Sequence, residues 1–423
     1  MDTTAQRPTV LLVGTADTKA DEIAYLQGRV AAAGGSALVM DVGVMPPATG
    51  PQSNVRPDID HHAVAAAAGS TIAAVRASGD ENTAMQTMAR GAAALAAEWH
   101  AAGHIHGLLA LGGSMGTDLA LDVASALPLG VPKVVLSTIA HSHLIAPERI
   151  APDLISILWS GGLYGLNSIC RSVLSQAAGA AVGACLAAEL PRGDRPVVGM
   201  TSLGRSCLAY MVALKPALEA RGYELAVFHT TGMGGRAFEA LAEAGRFCAV
   251  MDFSLQELAN HLAGSCVTSG PGRLTGAGRA GVPQLVAPGA CDMVDYAGWA
   301  GCPSAFAGRA THEHNRLIGS TSADIALRER IAHEIGARVA GARGPVAVLQ
   351  PLGGIEAWDL PGAPMHDPAG LAAFQAALRA AVHPPAQLIE LDAHINDAAF
   401  ADAALAQFDA WVAQGLIPPG RPQ

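Results

Sequence analysis

Residues 107–117, GLLALGGSMGT, constrain the fold of this chain more than any other stretch. Leu108, Leu109, Ala110 and Leu111 read as a buried strand. The chain then breaks into Gly112, Gly113, Ser114, Met115, Gly116 and Thr117, and restarts as a helix near Asp118. A strand that ends in glycines and restarts as a helix leaves backbone N–H groups free at the helix N-terminus, where they favour an anion. Glycine lets a ligand approach the backbone closely, and Ser114 and Thr117 add hydroxyls. Phosphate is the expected anion; the alternative is a tight turn that holds nothing.

The chain opens with a related unit. TVLLV (9–13) is a short apolar strand stopped by Gly14, followed by TADTKADE, an amphipathic run to about Ala33, and a second strand, SALVMDV (36–42). Strand, loop, helix and strand in that order begin a doubly wound sheet. The GxGxxG spacing of dinucleotide folds is absent. In its place Thr15 and Thr18 offer hydroxyls, Lys19 a cation for phosphate, and Asp17 a carboxylate for Mg²⁺, directly or through water. Helix capping by Asp17 or Thr18 is the competing reading. A cation in a first helical turn opposes the helix dipole, which makes Lys19 the informative residue. Pro46–His62 reads as a surface excursion. VPKVVLST (131–138) is another strand ending in hydroxyls, the last of them Thr138, and His141 and His143 follow it without a third metal ligand at a recognisable spacing.

The second half repeats the first. VVGMTSLGRS parallels VLLVGTADTK, RGYELAVFHTTG parallels AGGSALVMDVG, and AGVPQLVAPG parallels LGVPKVVLST. Two α/β subdomains follow, 1–190 and 191–423, with a ligand cleft expected between them. A second glycine-rich turn, Gly232, Met233, Gly234, Gly235 and Arg236, comes after the strand ending at His229. His229 is a candidate acid–base group, a hydrogen-bond donor or a core histidine. SGPGR (269–273) offers a further turn with an arginine. Asp292 and Asp295 follow a strand, Asp292 as a second catalytic candidate, with helix capping as the alternative. THEHN (311–315) would place His312 and His314 on opposite sides of a helix.

Composition narrows the function. Net charge is −10 with only 15% charged residues, which argues against a broad basic face for nucleic acid. Seven scattered cysteines without a CxxC pair read as reduced and intracellular. The N-terminal stretch MDTTAQRPTVLLVG does not read as a secretory signal. Residues 154–188 carry one charge, Arg171, but their glycines and polar residues argue for a buried interdomain or subunit-interface helix rather than a membrane span. A cytoplasmic protein is expected.

GTADTKADE, GGSMGT, VVGMTSLG, VFHTTGMGGRAFE, SGPGR, GVPQLVAPGACDMVDY, HEHN and HINDAAFA, in that order, resemble the Tm-one-like ATP-binding domain family from about Val10 to Ala403. The resemblance implies two Rossmann-like α/β subdomains, ATP with Mg²⁺ as ligand, and a homodimer. The expected phosphate contacts are Gly14, Thr15, Asp17, Thr18, Lys19, Gly112, Gly113, Ser114, Gly116, Thr117 and Thr138, with Gly232, Gly234, Gly235 and Arg236 from the second turn. The competing expectations are an enzyme acting on a small phosphorylated or carboxylate metabolite through His229, Arg236 and Asp292, and a nucleotide-stabilised scaffold for protein partners.

Overall fold

A computed structural model describes residues 7–45, 55–191 and 193–421. The chain divides into two compact units, Met1–Arg192 and Gly193–Gln423. The first part of the Pro46–His62 excursion, 46–54, lies outside the described residues.

The first unit carries β1 (Thr9–Gly14), α1 (Ala16–Ala32), β2 (Ser36–Asp41), α2 (His61–Ala67), α3 (Ile72–Arg76), α4 (Glu81–Ala101), β3 (Gly107–Gly112), α5 (Ser114–Ala126), β4 (Lys133–Ser137), β5 (Leu154–Leu158) and α6 (Ser168–Ala187). Its five strands are all parallel, in the order β2-β1-β3-β4-β5. Continuous apolar runs suit strands covered on both faces. Alternate residues separate cleanly: Leu11, Val13, Leu108 and Ala110 pack with α4 and α5, while Val10, Leu12, Leu109 and Leu111 pack with α1 and α6. The chain therefore leaves β1 over one face and β3 over the other. That divergence opens a crevice at their carboxyl ends, the usual ligand position in such sheets.

Helix α6 is 20 residues long with mean hydropathy 1.3, apolar enough on length and composition to cross a membrane. Cys170, Leu174, Ala177, Ala178, Ala181 and Val182 are instead buried against the sheet. It covers one face of its own unit's sheet, where the sequence predicts an interdomain or subunit-interface helix.

The second unit carries β6 (Val197–Ser202), α7 (Ala209–Ala220), β7 (Glu224–His229), α8 (Met233–Glu243), β8 (Ala249–Ser254), α9 (Gln256–Leu262), α10 (Gly276–Ala280) and β9 (Gln284–Gly289). After these come β10 (Met293–Ala297), β11 (Thr311–Glu313), β12 (Ile318–Ser322), α11 (Ile325–Ala340), β13 (Val346–Pro351), α12 (Pro368–Ala381), β14 (Gln387–Leu391) and α13 (Ala398–Ala413). The main sheet runs β14-β13-β9-β8-β6-β7 with all pairs parallel. Counted from its own first strand, its first five strands have the winding of the first unit, with a sixth added at the edge. The sequence parallels fall on equivalent strands: β6 on β1, β7 on β2, and β9 on β4. An antiparallel sheet, β10-β12-β11, is inserted between the fourth and fifth parallel strands.

The inserted sheet corrects one expectation. Thr311–Glu313 is a strand, not a helix, so His312 and His314 are alternate residues on an extended segment, with rings 6.4 Å apart. His312 stacks on Trp358 at 4.1 Å.

Candidate functional site

The first unit brings two sequence-predicted segments together. Thr15, Asp17, Thr18 and Lys19 after β1, and Gly113, Ser114, Met115 and Gly116 after β3, line one cleft of about 640 Å³. Small-molecule sites span about 300–1,000 Å³. The opposite wall is apolar, built from Val42, Val44, Val75, Met85, Met88 and Leu119, with Arg76, Asp80 and Glu81 also along the cleft.

The helix start behind Gly113 is uncapped by any side chain. Thr117 N–H returns to the Gly113 carbonyl at 2.8 Å, so the amides of Ser114, Met115 and Gly116 form the first-turn donor set facing the cleft. Gly112 is required by packing: a Cβ there would lie 2.5 Å from Gly116 Cα. Thr138 is half-buried, its N–H donating to the Gly112 carbonyl at 3.1 Å, and it is not among the residues that line the cleft.

The first turn of α1 has an unusual form. Thr15 is the N-cap residue, so neither Asp17 nor Thr18 caps the helix. Lys19 leaves helical geometry at φ −133°, ψ 30°. This break lets its Nζ fold back to donate to Thr18 Oγ1 at 3.1 Å and Thr15 Oγ1 at 3.4 Å. An ammonium and two hydroxyls are thus gathered at one end of the cleft. Asp17 Oδ2 accepts from Met45 N–H at 2.9 Å, whereas its buried Oδ1 has no hydrogen-bond partner. Gly43 makes this placement possible, since a Cβ on it would come within 2.7 Å of the Asp17 carboxylate.

Asp41 escaped the sequence reading although it organises these loops. It is buried and accepts from Ala16 N–H at 2.9 Å and Gly43 N–H at 2.8 Å, with His61 Nδ1 at 3.1 Å. An acid ending an apolar strand was the available signal.

Two expected contacts have structural jobs instead. Gly14 lies between strand and helix, where a Cβ would meet Leu111 Cδ2 at 2.8 Å and Ile23 Cδ1 at 3.0 Å. The Thr117 hydroxyl is buried and shares a hydrogen bond with Ser137 Oγ at 2.7 Å.

The glycine turn of the second unit is built differently. It follows β7, the edge strand, rather than the third strand. Gly232 caps α8 at φ +96°, and Glu257 takes its amide at 2.6 Å and that of Gly235 at 3.1 Å. The two amides expected to hold a phosphate therefore hold an internal carboxylate. Gly234 and Gly235 permit close approach: a Cβ would meet the His229 carbonyl oxygen at 1.8 Å in the first case and Glu257 Oε2 at 1.6 Å in the second. Arg236 lies in the first turn of α8.

Arg273, from SGPGR, fixes Glu257. It is fully buried and donates to Glu257 at 3.0 Å, Glu239 at 2.9 Å and Asp252 at 2.5 Å. Burial pushes the Glu257 carboxyl up to about 7, against the pull of Arg273 and the two amides. This network occupies the carboxyl end of β8.

His229 is exposed, and its Nδ1 accepts from Gly204 N–H at 3.3 Å. Partial burial lowers its pKa, with a backbone contact to Ser202 acting the other way. Asp295 is saturated by Gln256, Asn260 and Ser320. Asp292 is 1% exposed with neither carboxyl oxygen hydrogen-bonded. Among the described residues no three His, Cys, Asp or Glu side chains form a metal-holding group.

Two units of the same α/β winding, the first with an amide-lined cleft at its switch point, define a Rossmann-like class of protein. Models of the N-terminal and C-terminal domains of an uncharacterised protein family, UPF0261, match residues 8–189 and 195–412. The chain belongs to that family. A UPF0261 protein of Brucella melitensis is 51% identical over 415 residues, 98% of each chain. One from Clostridium tetani is 34% identical over 355 residues, 84% of this chain and 86% of that one. The tomato ToMV resistance protein Tm-1 is 28% identical over 382 residues, 85% of this chain and 50% of the plant protein.

Proposed function

We propose that the cleft of the first unit binds ATP with Mg²⁺. The observation that carries this is the convergence of Lys19, Thr15 and Thr18 with the uncapped start of α5. Phosphate oxygens would accept from the Ser114, Met115 and Gly116 amides and from Lys19, with the Thr15, Thr18 and Ser114 hydroxyls beside them. The wall from Val42 to Met88 would take the nucleoside. The unpartnered Asp17 Oδ1 fits a Mg²⁺ ligand acting directly or through water; bound there, the cation would neutralise phosphate charge. The resemblance of GTADTKADE and GGSMGT to the Tm-one-like ATP-binding family favours the same ligand, and its homodimer is proposed here too.

Calorimetry with ATP and Mg²⁺, with ATP in EDTA, and with adenosine tests the reading. Binding is expected to be strongest in the first case and weakest in the last. An absence of heat at millimolar ATP with Mg²⁺ would remove the proposal.

A further inference from the structure

The second unit contains a buried ionic cluster that the proposed nucleotide site does not use. Asp292 lies in the turn after β9, and Glu356 lies in the segment after β13. The two turns are tied by Ala290 N–H donating to the Ile355 carbonyl at 3.0 Å. Ala357 N–H donates to the Ser206 carbonyl at 3.1 Å, joining the turn after β6. Asp292 and Glu356 are 1% and 0% exposed, and both oxygens of Asp292 and Oε1 of Glu356 lack hydrogen-bond partners.

Among the neighbouring charges, the Arg328 guanidinium acts on both carboxyls, and its Nη2 has no hydrogen-bond partner. His394, after β14, lies with Nε2 3.2 Å from Asp359. Arg328 of α11 is 1% exposed, donates through Nε to the Ala323 carbonyl at 3.0 Å, and pairs at 3.4 Å with Asp367, the cap of α12. The thiols of Cys207 and Cys291, also buried, supply no cation. One guanidinium, shared with Asp367, therefore faces two interior carboxyls, so at least one of them is left without a counter-ion, which costs several kcal/mol unless a proton or a cation neutralises it. The lack of a third ligating side chain among the described residues favours the proton.

We propose that Asp292 and Glu356 form a proton-binding site: in the folded protein at neutral pH the two carboxyls carry at least one proton between them, and its loss to water loosens the joint between the turns after β9 and β13. Burial is the largest cause and pushes both groups up, Asp292 to about 7 with Asp359 adding to the rise, and Glu356 to about 9 with Asp292 and Asp359 adding to it, while Arg328 opposes both shifts. The folded state then keeps protons that the unfolded chain releases from about pH 4. The stability tied to this pair is full below that pH and is lost as the pH rises through about 7 and about 9.

Thermal unfolding of the full chain between about pH 5 and 9 in EDTA tests this, comparing wild type with Asp292→Asn and Glu356→Gln. The fall of Tm with rising pH is expected to flatten in either variant. An equal slope in all three proteins would overturn the proposal, as would Mg²⁺ or Ca²⁺ raising the wild-type Tm but not that of Asp292→Asn. A measurement on wild type alone stands if the variants fail to fold. Carbon-13 NMR of glutamate-labelled protein should show one carboxyl that titrates above about pH 8, a range that separates Glu356 from Glu257. No such resonance would equally overturn it.

Discussion

The Gly232 amide donates to Glu257 Oε1 at 2.6 Å. A glycine turn and helix start, the arrangement that suggests a phosphate site in sequence, is satisfied here from within the fold. Arg273 then holds the carboxylate from its other side at 3.0 Å.

Arg273 should accordingly be a stability residue. Arg273→Leu leaves Glu239, Asp252 and Glu257 buried without their cation, and breaking a buried pair costs about 3–5 kcal/mol. Urea unfolding should show a loss of at least that size. Glu257→Gln, which keeps an acceptor for the amides, should cost less. Equal stability of Arg273→Leu and wild type would show that the network is not needed to hold this unit together.

Gly112→Ala should damage the cleft by sterics. The new Cβ would lie 2.5 Å from Gly116 Cα and 2.9 Å from Thr117 N, both backbone atoms, so relief requires moving the start of α5. Overpacking of this kind costs about 1–3 kcal/mol. Thermal unfolding should register the loss, and ATP binding should weaken at least tenfold. Gly28→Ala, inside α1 with nothing within 4 Å of the new atom, is the matched control: it should leave ATP binding unchanged and raise stability slightly, by about 0.5–1 kcal/mol.

Gly43→Ala and Asp17→Asn should act on the same step. The first crowds the Asp17 carboxylate at 2.7 Å; the second removes its charge. Each should reduce the gain in ATP affinity that Mg²⁺ provides while leaving metal-free binding much less affected. An undiminished Mg²⁺ effect in Asp17→Asn would take the cation away from this residue.

Thiol reactivity should divide the seven cysteines. Cys266 and Cys302 are exposed and should react first with a thiol reagent in the native protein. Burial pushes Cys185 to about 11 and Cys248 to about 12. At pH 8 the thiolate fraction of Cys185 is about one part in a thousand, so it should lag strongly. Cys170, Cys207 and Cys291 are buried and should react only on unfolding. Mass mapping of labelled peptides reads the order, and early labelling of Cys207 or Cys291 would contradict the packing of the second unit.

Local signals made much of this fold legible. The parallels between VLLVG and VVGMT, and between GVPKVV and GVPQLV, fall on equivalent strands because an apolar run ended by turn residues dictates a buried parallel strand. GGSMGT and TADTK could be matched to one cleft because both follow strands. The role of Asp41 was less visible, since its partners Ala16, Gly43 and His61 meet it only after β1 and β2 pair. Arg273 showed least. Its carboxylates are 16–34 residues away, and no spacing rule separates an arginine that faces a ligand from one that neutralises three internal acids. THEHN was misread because a short polar segment carries no period that distinguishes strand from helix.

The most direct measurement is an ATP titration, with Mg²⁺, of nitrogen-15-labelled protein followed residue by residue. The amides of Ser114, Met115 and Gly116 and those from Thr15 to Lys19 should shift together and saturate together, with Gly232 and Gly235, already engaged by Glu257, unmoved. No shift in the first group at millimolar ATP, or a response centred on Gly232 and Gly235, would contradict the assignment of the anion site to the first unit.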